Sequence, residues 1–235
     1  MSHYDVAPAL DGRSARTRAI FGRVVTRLRV DAAQAAGRVA RRAFDVAVAS
    51  VGLAVASPVL VCAAVAVKAT SPGPVFFRQV RVGRGGRHFA IYKFRSMYAD
   101  AEQRRAQLES QNESRGGVTF KVKRDPRITP VGRVLRKFSI DELPQLLNVL
   151  DGSMTVFGPR PPIPSETAKY GSRERRRLEV TPGLTCFWQV QGRSDLTFDE
   201  QVSLDIAFID TATVKDELRI LAKTLPAVLT GKGAY

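Results

Sequence analysis

The chain has 235 residues, 44% of them hydrophobic and 25% charged, with a formal charge of +15 at pH 7. That apolar share supports a buried core and excludes a disordered protein, while the basic excess asks for a polyanionic partner: nucleic acid, an anionic membrane surface or phosphorylated small molecules. Two cysteines, Cys62 and Cys186, exclude a disulfide framework, and two histidines, His3 and His88, leave little for a histidine-rich metal site or a hydrolase triad, so a reducing, cytosolic setting is the simplest.

Met1 to Gly12 reads as unstructured. From there to Gly37 the leader holds Arg13, Arg16, Arg18, Arg23, Arg27 and Arg29, with Ile20, Phe21, Val24, Val25 and Leu28 between them at helical spacing. This is either a basic amphipathic helix on anionic lipid headgroups or a disordered tail. Val46 to Val67 has no charged residue and is long enough to span a bilayer as a helix. Arg38, Arg41 and Arg42 precede it, and Lys68, Arg78, Arg81, Arg84 and Arg87 follow, so both ends ask for the cytoplasmic side. A straight span fails that demand. A helix that enters, turns at Ser57-Pro58 and returns meets it: Pro58 removes a helix hydrogen bond and the Ser57 hydroxyl satisfies a freed backbone group. A proline-kinked transmembrane helix is the alternative. The chain thus divides into a basic leader (1–37), a membrane segment (38–69) and a cytosolic domain (70–235).

Within that domain, Val75 to Val82 and His88 to Phe94 read as two strands joined by the turn Gly83-Arg84-Gly85-Gly86, whose glycines match neither GxGxxG nor a P-loop. Ala99 to Asn112 is predicted as a polar helix, Val118 to Val122 as a short strand, and Val131 to Phe138 as a helix with Arg133, Arg136 and Lys137 on one face. Pro164 to Val180 reads as a charged helix, and Phe198 to Leu229 as two helices with a break around Asp210 to Thr213. The expected fold is α+β and mainly helical: a membrane re-entrant helix plus a compact cytosolic domain with a small β-hairpin.

The stretch Phe138-Ser139-Ile140-Asp141-Glu142-Leu143-Pro144-Gln145-Leu146 sets two adjacent carboxylates at a helix start among many cations. With Asp141 as N-cap, Pro144 falls in the first turn, where its missing N–H costs little, and Leu143, Leu146, Leu147 and Leu150 form an apolar stripe. Ser139 as cap with Glu142 as its capping-box partner is the competing arrangement. With the first, the helix end favours an ionised Asp141, available as a nucleophile or metal ligand; capping alone is the plainer role.

Three loops carry further polar groups. Lys93 and Arg95 share one face of the second strand, with Phe94 opposite, and either hold a diphosphate or form a solvated face. Gly158-Pro159-Arg160-Pro161-Pro162 holds Arg160 in a stiff frame that lowers the entropy lost when it grips a phosphate. Thr181-Pro182-Gly183-Leu184 reads as a type II turn, followed by Trp188, Gln189, Gln191 and Arg193, a mix that suits a nucleotide sugar or, for the sole tryptophan, core packing.

YKFRSM (92–97), KRDPRITPVGRVLRKFSIDELPQLLNVL (123–150), VFGPRPP (156–162), TPGLTCFWQVQGRSD (181–195) and LRILAKTLPAVLTGKGAY (218–235), in this order behind Ser57-Pro58, resemble the bacterial sugar transferase family, the monotopic polyprenyl-phosphate phosphoglycosyl transferases. The resemblance runs from about Arg42 to Tyr235. It implies transfer of a hexose-1-phosphate from a UDP-sugar to undecaprenyl phosphate, with release of UMP, through a covalent aspartyl-phosphosugar, as the start of exopolysaccharide or related glycan synthesis. It further implies Asp141 and Glu142 as catalytic and Mg²⁺-holding residues, Arg160, Lys93, Arg95, Gln189 and Arg193 as substrate-binding residues, and Ser57-Pro58 as the re-entrant break. The expected setting is the cytosolic face of the bacterial inner membrane, among anionic lipids and without nucleic acid. The chain looks like the family's catalytic core behind a short basic leader. Cys186 stands where many relatives have glycine, and Asp210-Thr211-Ala212-Thr213 lacks an aromatic often found there, which leaves the sugar open, as is the oligomeric state. A nucleic-acid-binding protein, which the charge alone would allow, lacks any recognised motif, and a pure scaffold would leave Asp141 as a cap only.

Overall fold

A computed structural model describes residues 12–112, 118–120, 122, 124–192 and 196–230. Two compact units divide the chain, residues 1–44 and 45–235. The described residues of the first are helical, the beginning of α1 (Gly12–Thr70). The expectation for Met1 to Gly12 lies, but for Gly12, outside the described residues.

In the second unit, β1 (Phe76–Val82) and β2 (His88–Phe94) form an antiparallel hairpin in register from Phe76 opposite Phe94 to Val82 opposite His88. Gly85 and Gly86, at φ 66° and 82°, close its turn. The helices that follow are α2 (Ala101–Arg105), continued as a 3₁₀ turn to Gln111, and α3 (Pro130–Lys137). Thr129 caps α3 by accepting from the Gly132 N–H at 2.9 Å, with Pro130 in the first turn where its lack of an N–H is harmless. The described part of 118–122 is bend or coil, so the strand expected there does not form.

A 3₁₀ turn, Ile140–Gln145, leads into α4 (Leu146–Asp151), which Gly152 ends in the left-handed conformation at φ 86°. Beyond it lie β3 (Thr155–Phe157), α5 (Pro164–Thr167), α6 (Ser172–Arg175) with a 3₁₀ turn to Leu178, β4 (Gly183–Thr185), α7 (Phe187–Gln191), α8 (Phe198–Thr211) and α9 (Val214–Thr230). The helix expected over 164–180 is thus broken: Tyr170 is buried, and Gly171 leaves the helical region at φ −78°, ψ −172° to begin α6. The type II turn expected at Thr181 to Leu184 is also absent. Gly183 is instead the first residue of β4, which pairs parallel to β3 with Thr155 beside Gly183 and Phe157 beside Thr185.

Two apolar clusters form the core. One joins Ala49 of α1 to Ile91, Leu146, Val149, Met154, Val156, Phe157, Phe208 and Ile220. The other joins Ala63 and Val67 of α1 to Phe94 and Leu135. Stretches of α1 on both sides of Pro58 therefore pack on the same body. Asp45 anchors the first stretch, its buried carboxylate accepting from Thr155 Oγ1 at 2.8 and 2.9 Å and from the Val156 N–H at 2.9 Å. The helix itself continues through Pro58 instead of breaking there. The Ser57 hydroxyl donates to the Ala54 carbonyl at 2.8 Å, the very oxygen that Pro58 has no N–H to reach, and so the turn survives.

Ala35–Thr70 is the one helix among the described residues long and apolar enough to cross a membrane. Val51, Val55, Val61 and Val65 remain 63%, 77%, 63% and 64% exposed, an apolar face that water does not favour.

Candidate active site

The carboxylate pair sits in the 3₁₀ turn, and neither expected cap forms. Ser139 precedes the turn in the left-handed region at φ 54°, with no hydrogen bond from its side chain, and both acids lie inside the first turn. Pro144 is the cause. It offers no N–H to the Ile140 carbonyl four residues back, so the turn closes with 3₁₀ bonds such as Glu142 N–H to Ser139 O at 3.1 Å and becomes α-helical only from Leu146.

Asn148 brings this turn to the hairpin. It is 1% exposed; its amide donates to Ala90 O at 2.8 Å and its Oδ1 accepts from Tyr92 N–H at 3.0 Å, so the side chain pairs with the free edge of β2 as another strand would. Lys93, next along β2, then reaches Glu142 Oε1 at 2.6 Å. Arg160 arrives from the loop after β3 and meets the same carboxylate, with Nη2 3.0 Å from Oε1 and Nη1 3.4 Å from Oε2.

The two acids therefore differ sharply. Burial pushes Glu142 up, but the summed pull of Arg160 and Lys93 is larger and holds it well below the usual glutamate range. Asp141, 7% exposed, receives no hydrogen bond or ion pair among the described residues, and burial raises its pKa against the opposing pull of Lys93. The helix end does not lower Asp141 as expected, for the same reason that the cap does not form: a short 3₁₀ turn broken by proline supplies a weak dipole, and burial raises the carboxyl instead. Burial also lowers Lys93, with Glu142 opposing, and the neighbouring Glu142 raises Arg160. The result is one saturated carboxylate organising two cations beside one carboxylate with open oxygens.

Of the residues singled out from sequence, the fold brings Asp141, Glu142, Lys93 and Arg160 together. It does not bring Arg95. Strand β2 ends at Phe94, and the buried Arg95 guanidinium donates to Ser71 O at 2.7 Å, Ser71 Oγ at 2.8 Å and Pro72 O at 2.6 Å, pinning the end of α1. Gln189 accepts from Cys186 Sγ at 3.1 Å on α7, and Trp188 is buried, the packing role. Arg193 lies outside the described residues.

Three further residues reach the site through tertiary contacts that local sequence does not show. Arg81 of β1 donates to Pro161 O at 2.8 Å. Arg177 donates to Asp205 at 2.9 Å, to Tyr170 OH at 2.7 Å and to Arg160 O at 3.4 Å. Gly183 approaches Gly158 so closely that a Cβ there would overlap its backbone. In the sequence Arg81 counts only as one of the basic residues after the apolar run; the tertiary fold gives it its partner.

A buried, unencumbered aspartate among phosphate-grade cations, on a body joined to a long apolar helix, is the architecture of a lipid-associated transferase of phosphorylated groups. The sequence profile of the bacterial sugar transferases matches residues 36–231, and the chain belongs to that family. It is 45% identical over 202 residues to the galactosyl transferase CpsE of Streptococcus agalactiae, covering 83% of this chain and 43% of that one. It is 39% identical to the exopolysaccharide production protein ExoY of Rhizobium meliloti, covering 85% of this chain and 89% of that one. It is 38% identical to the UDP-glucose:undecaprenyl-phosphate glucose-1-phosphate transferase of Caulobacter vibrioides, covering 83% of this chain and 72% of that one. The chain thus spans less than half of CpsE but most of ExoY.

Proposed function

We propose that this chain transfers a hexose-1-phosphate from a UDP-sugar to undecaprenyl phosphate and so starts the assembly of an exopolysaccharide or related glycan. An Asp141 carboxylate oxygen attacks the β-phosphorus, the bond from that phosphorus to the bridging oxygen breaks, and UMP leaves with the oxygen. The sugar-phosphate then rests on Asp141 until an oxygen of the lipid phosphate attacks the same phosphorus, releasing lipid-diphospho-sugar and regenerating the carboxylate. Two half-reactions at one nucleophile give ping-pong kinetics. The single observation that carries this reading is the contrast between a saturated Glu142 and an Asp141 whose oxygens no other described residue occupies. The Caulobacter relative's name, with its UDP-glucose and undecaprenyl phosphate, supports the same chemistry.

Lys93 and Arg160 are placed to bind phosphate oxygens and to stabilise charge that builds on them in flight. Glu142 holds both cations in position. Mg²⁺ fits this site through Asp141, the dyad member with open oxygens; Glu142, already engaged on both oxygens, does not fit as a ligand. No cluster of three or more His, Cys, Asp or Glu side chains stands ready for a metal among the described residues. That suits an ion that keeps most of its ligands as water and substrate phosphate, and neutralises the diphosphate when bound.

Packing of α1 against the body on both sides of Pro58 supports a monotopic, re-entrant placement at the cytosolic face of the inner membrane, among anionic lipids, with the site at the level of the lipid phosphate. The test is direct. Purified protein quenched during turnover with UDP-sugar and Mg²⁺ yields a sugar-phosphate ester that peptide mass spectrometry maps to Asp141, and Asp141→Asn releases no UMP. An adduct on another residue, or turnover by the variant, refutes the mechanism.

A further inference from the structure

The loop Gly158–Pro162 has a hydrogen-bonding problem built into its sequence. Pro159, Pro161 and Pro162 donate nothing, so the loop cannot satisfy its own carbonyls, and each must find an outside donor. All four from Pro159 to Pro162 do. Pro159 O accepts from Gly183 N–H at 2.9 Å and Pro162 O from Val82 N–H at 2.9 Å. Between them, Arg160 O accepts from Arg177 Nη2 at 3.4 Å and Pro161 O from Arg81 Nη1 at 2.8 Å.

The two arginines differ in what balances their charge. Arg177 is paired with the fully buried Asp205. Arg81 makes no ion pair among the described residues: Nη2 donates to Gln79 Oε1 at 2.6 Å, and the buried Nε has no hydrogen-bond partner among them. Burying a guanidinium without a counter-ion is costly, and an uncharged donor would serve a purely structural contact to Pro161 as well. Arg81 lines the same cleft as Arg160, Gln145, Pro161 and Gly183.

We propose that Arg81 is a positioning residue for Arg160: by bridging Gln79 on β1 to the Pro161 carbonyl, it fixes the adjacent Arg160 in line with Glu142 and adds positive charge behind the phosphate site. The inference rests on the reading of Arg160 as a phosphate-binding residue. Neither lysine nor glutamine reproduces the bridge, since lysine keeps the charge with a single nitrogen and glutamine keeps a donor without charge.

The experiment uses the full chain in detergent, as Arg81→Lys and Arg81→Gln, with the exposed Arg84→Gln as control. Hydrogen–deuterium exchange followed on peptides spanning 157–166 reads the loop without turnover; UMP release from UDP-sugar reads the site. Expected in both Arg81 variants are faster exchange confined to that segment, an unchanged melting temperature, a raised KM for the donor and a kcat/KM lower by about 10²-fold. Wild-type exchange with wild-type kcat/KM overturns the proposal, and so does loss of protection throughout the body, which would make Arg81 a support of the whole fold. If the wild-type chain releases no UMP from any UDP-sugar, the enzymatic reading fails, and the exchange result alone decides whether Arg81 holds the loop.

Discussion

Lys93 Nζ lies 2.6 Å from Glu142 Oε1, and the neighbouring carboxylate of Asp141 is left with no hydrogen-bond partner among the described residues. A lysine paired with Asp141 would quench the proposed nucleophile; paired with Glu142 it supplies positive charge nearby without occupying the Asp141 oxygens. The two acids should therefore respond differently to loss of charge. Asp141→Asn abolishes UMP release. Glu142→Gln releases the grip on Lys93 and Arg160 and lowers kcat by about 10²-fold, while the Mg²⁺ concentration that gives half-maximal rate stays where it was. A Mg²⁺ midpoint that moves strongly in Glu142→Gln would return Glu142 to the metal site.

Asp205 gives a stability signature of its own. Burial pushes its pKa up to about 6, against the opposing pull of Arg177. A carboxyl whose pKa is higher folded than unfolded stabilises the fold in its protonated form, fully below the unfolded value near 4, and that contribution fades as pH rises through about 6. Urea unfolding at pH 7 and pH 4 should show Asp205 favouring the acid condition by about 2 kcal/mol, set against the opposite trend from Glu142. In Asp205→Asn this contribution disappears from the pH slope. An identical slope in the variant would mean that Asp205 titrates normally.

Gly183 is required for contact and not for conformation, since its φ is not positive. A methyl group there would collide with the backbone of Gly158, at the root of the Arg160 loop. Gly183→Ala must separate β4 from that loop, costing about 1–3 kcal/mol, and should depress UMP release further than the loss of folded protein explains. Thermal unfolding and specific activity per folded molecule separate the two effects. Full activity in a destabilised variant would show that the Arg160 loop tolerates displacement.

What was legible from sequence had local causes. The hairpin followed from alternation and a glycine-rich turn, and the break between α8 and α9 from the residues around Asp210. The dyad stood out because two acids in so basic a chain are chemically conspicuous. The two-strand pairing of β3 with β4 left no trace, because three-residue strands buried on both faces show no alternation. Asn148 and Arg81 were equally silent: their roles depend on partners 56–58 and 80 positions away. The helix cap at Asp141 failed for a subtler reason. Pro144 fits a first turn well enough, but the turn it permits is 3₁₀, with Ser139 left-handed before it, and that moves both acids two positions inward. Arg95 shows the converse error: alternation placed it beside Lys93, but it lies just past the end of β2 and its guanidinium is taken up by Ser71 and Pro72.

Topology offers the remaining test, because the packing of α1 makes a demand that charge alone could not. Val48, Ala49 and Leu53 contact the cluster around Val149, whereas Leu60, Ala63, Ala64 and Val67 contact Phe94 and Leu135. A helix crossing the bilayer would carry one of these stretches away from the body. Both stay, while the valines on the outer face remain uncovered for lipid. In a Cys62→Ser background, which removes the exposed thiol and leaves the buried Cys186, single cysteines at Ala40→Cys and Pro74→Cys should be modified by a membrane-impermeant maleimide only in inverted membrane vesicles. Labelling of one from the opposite face would make α1 a spanning helix.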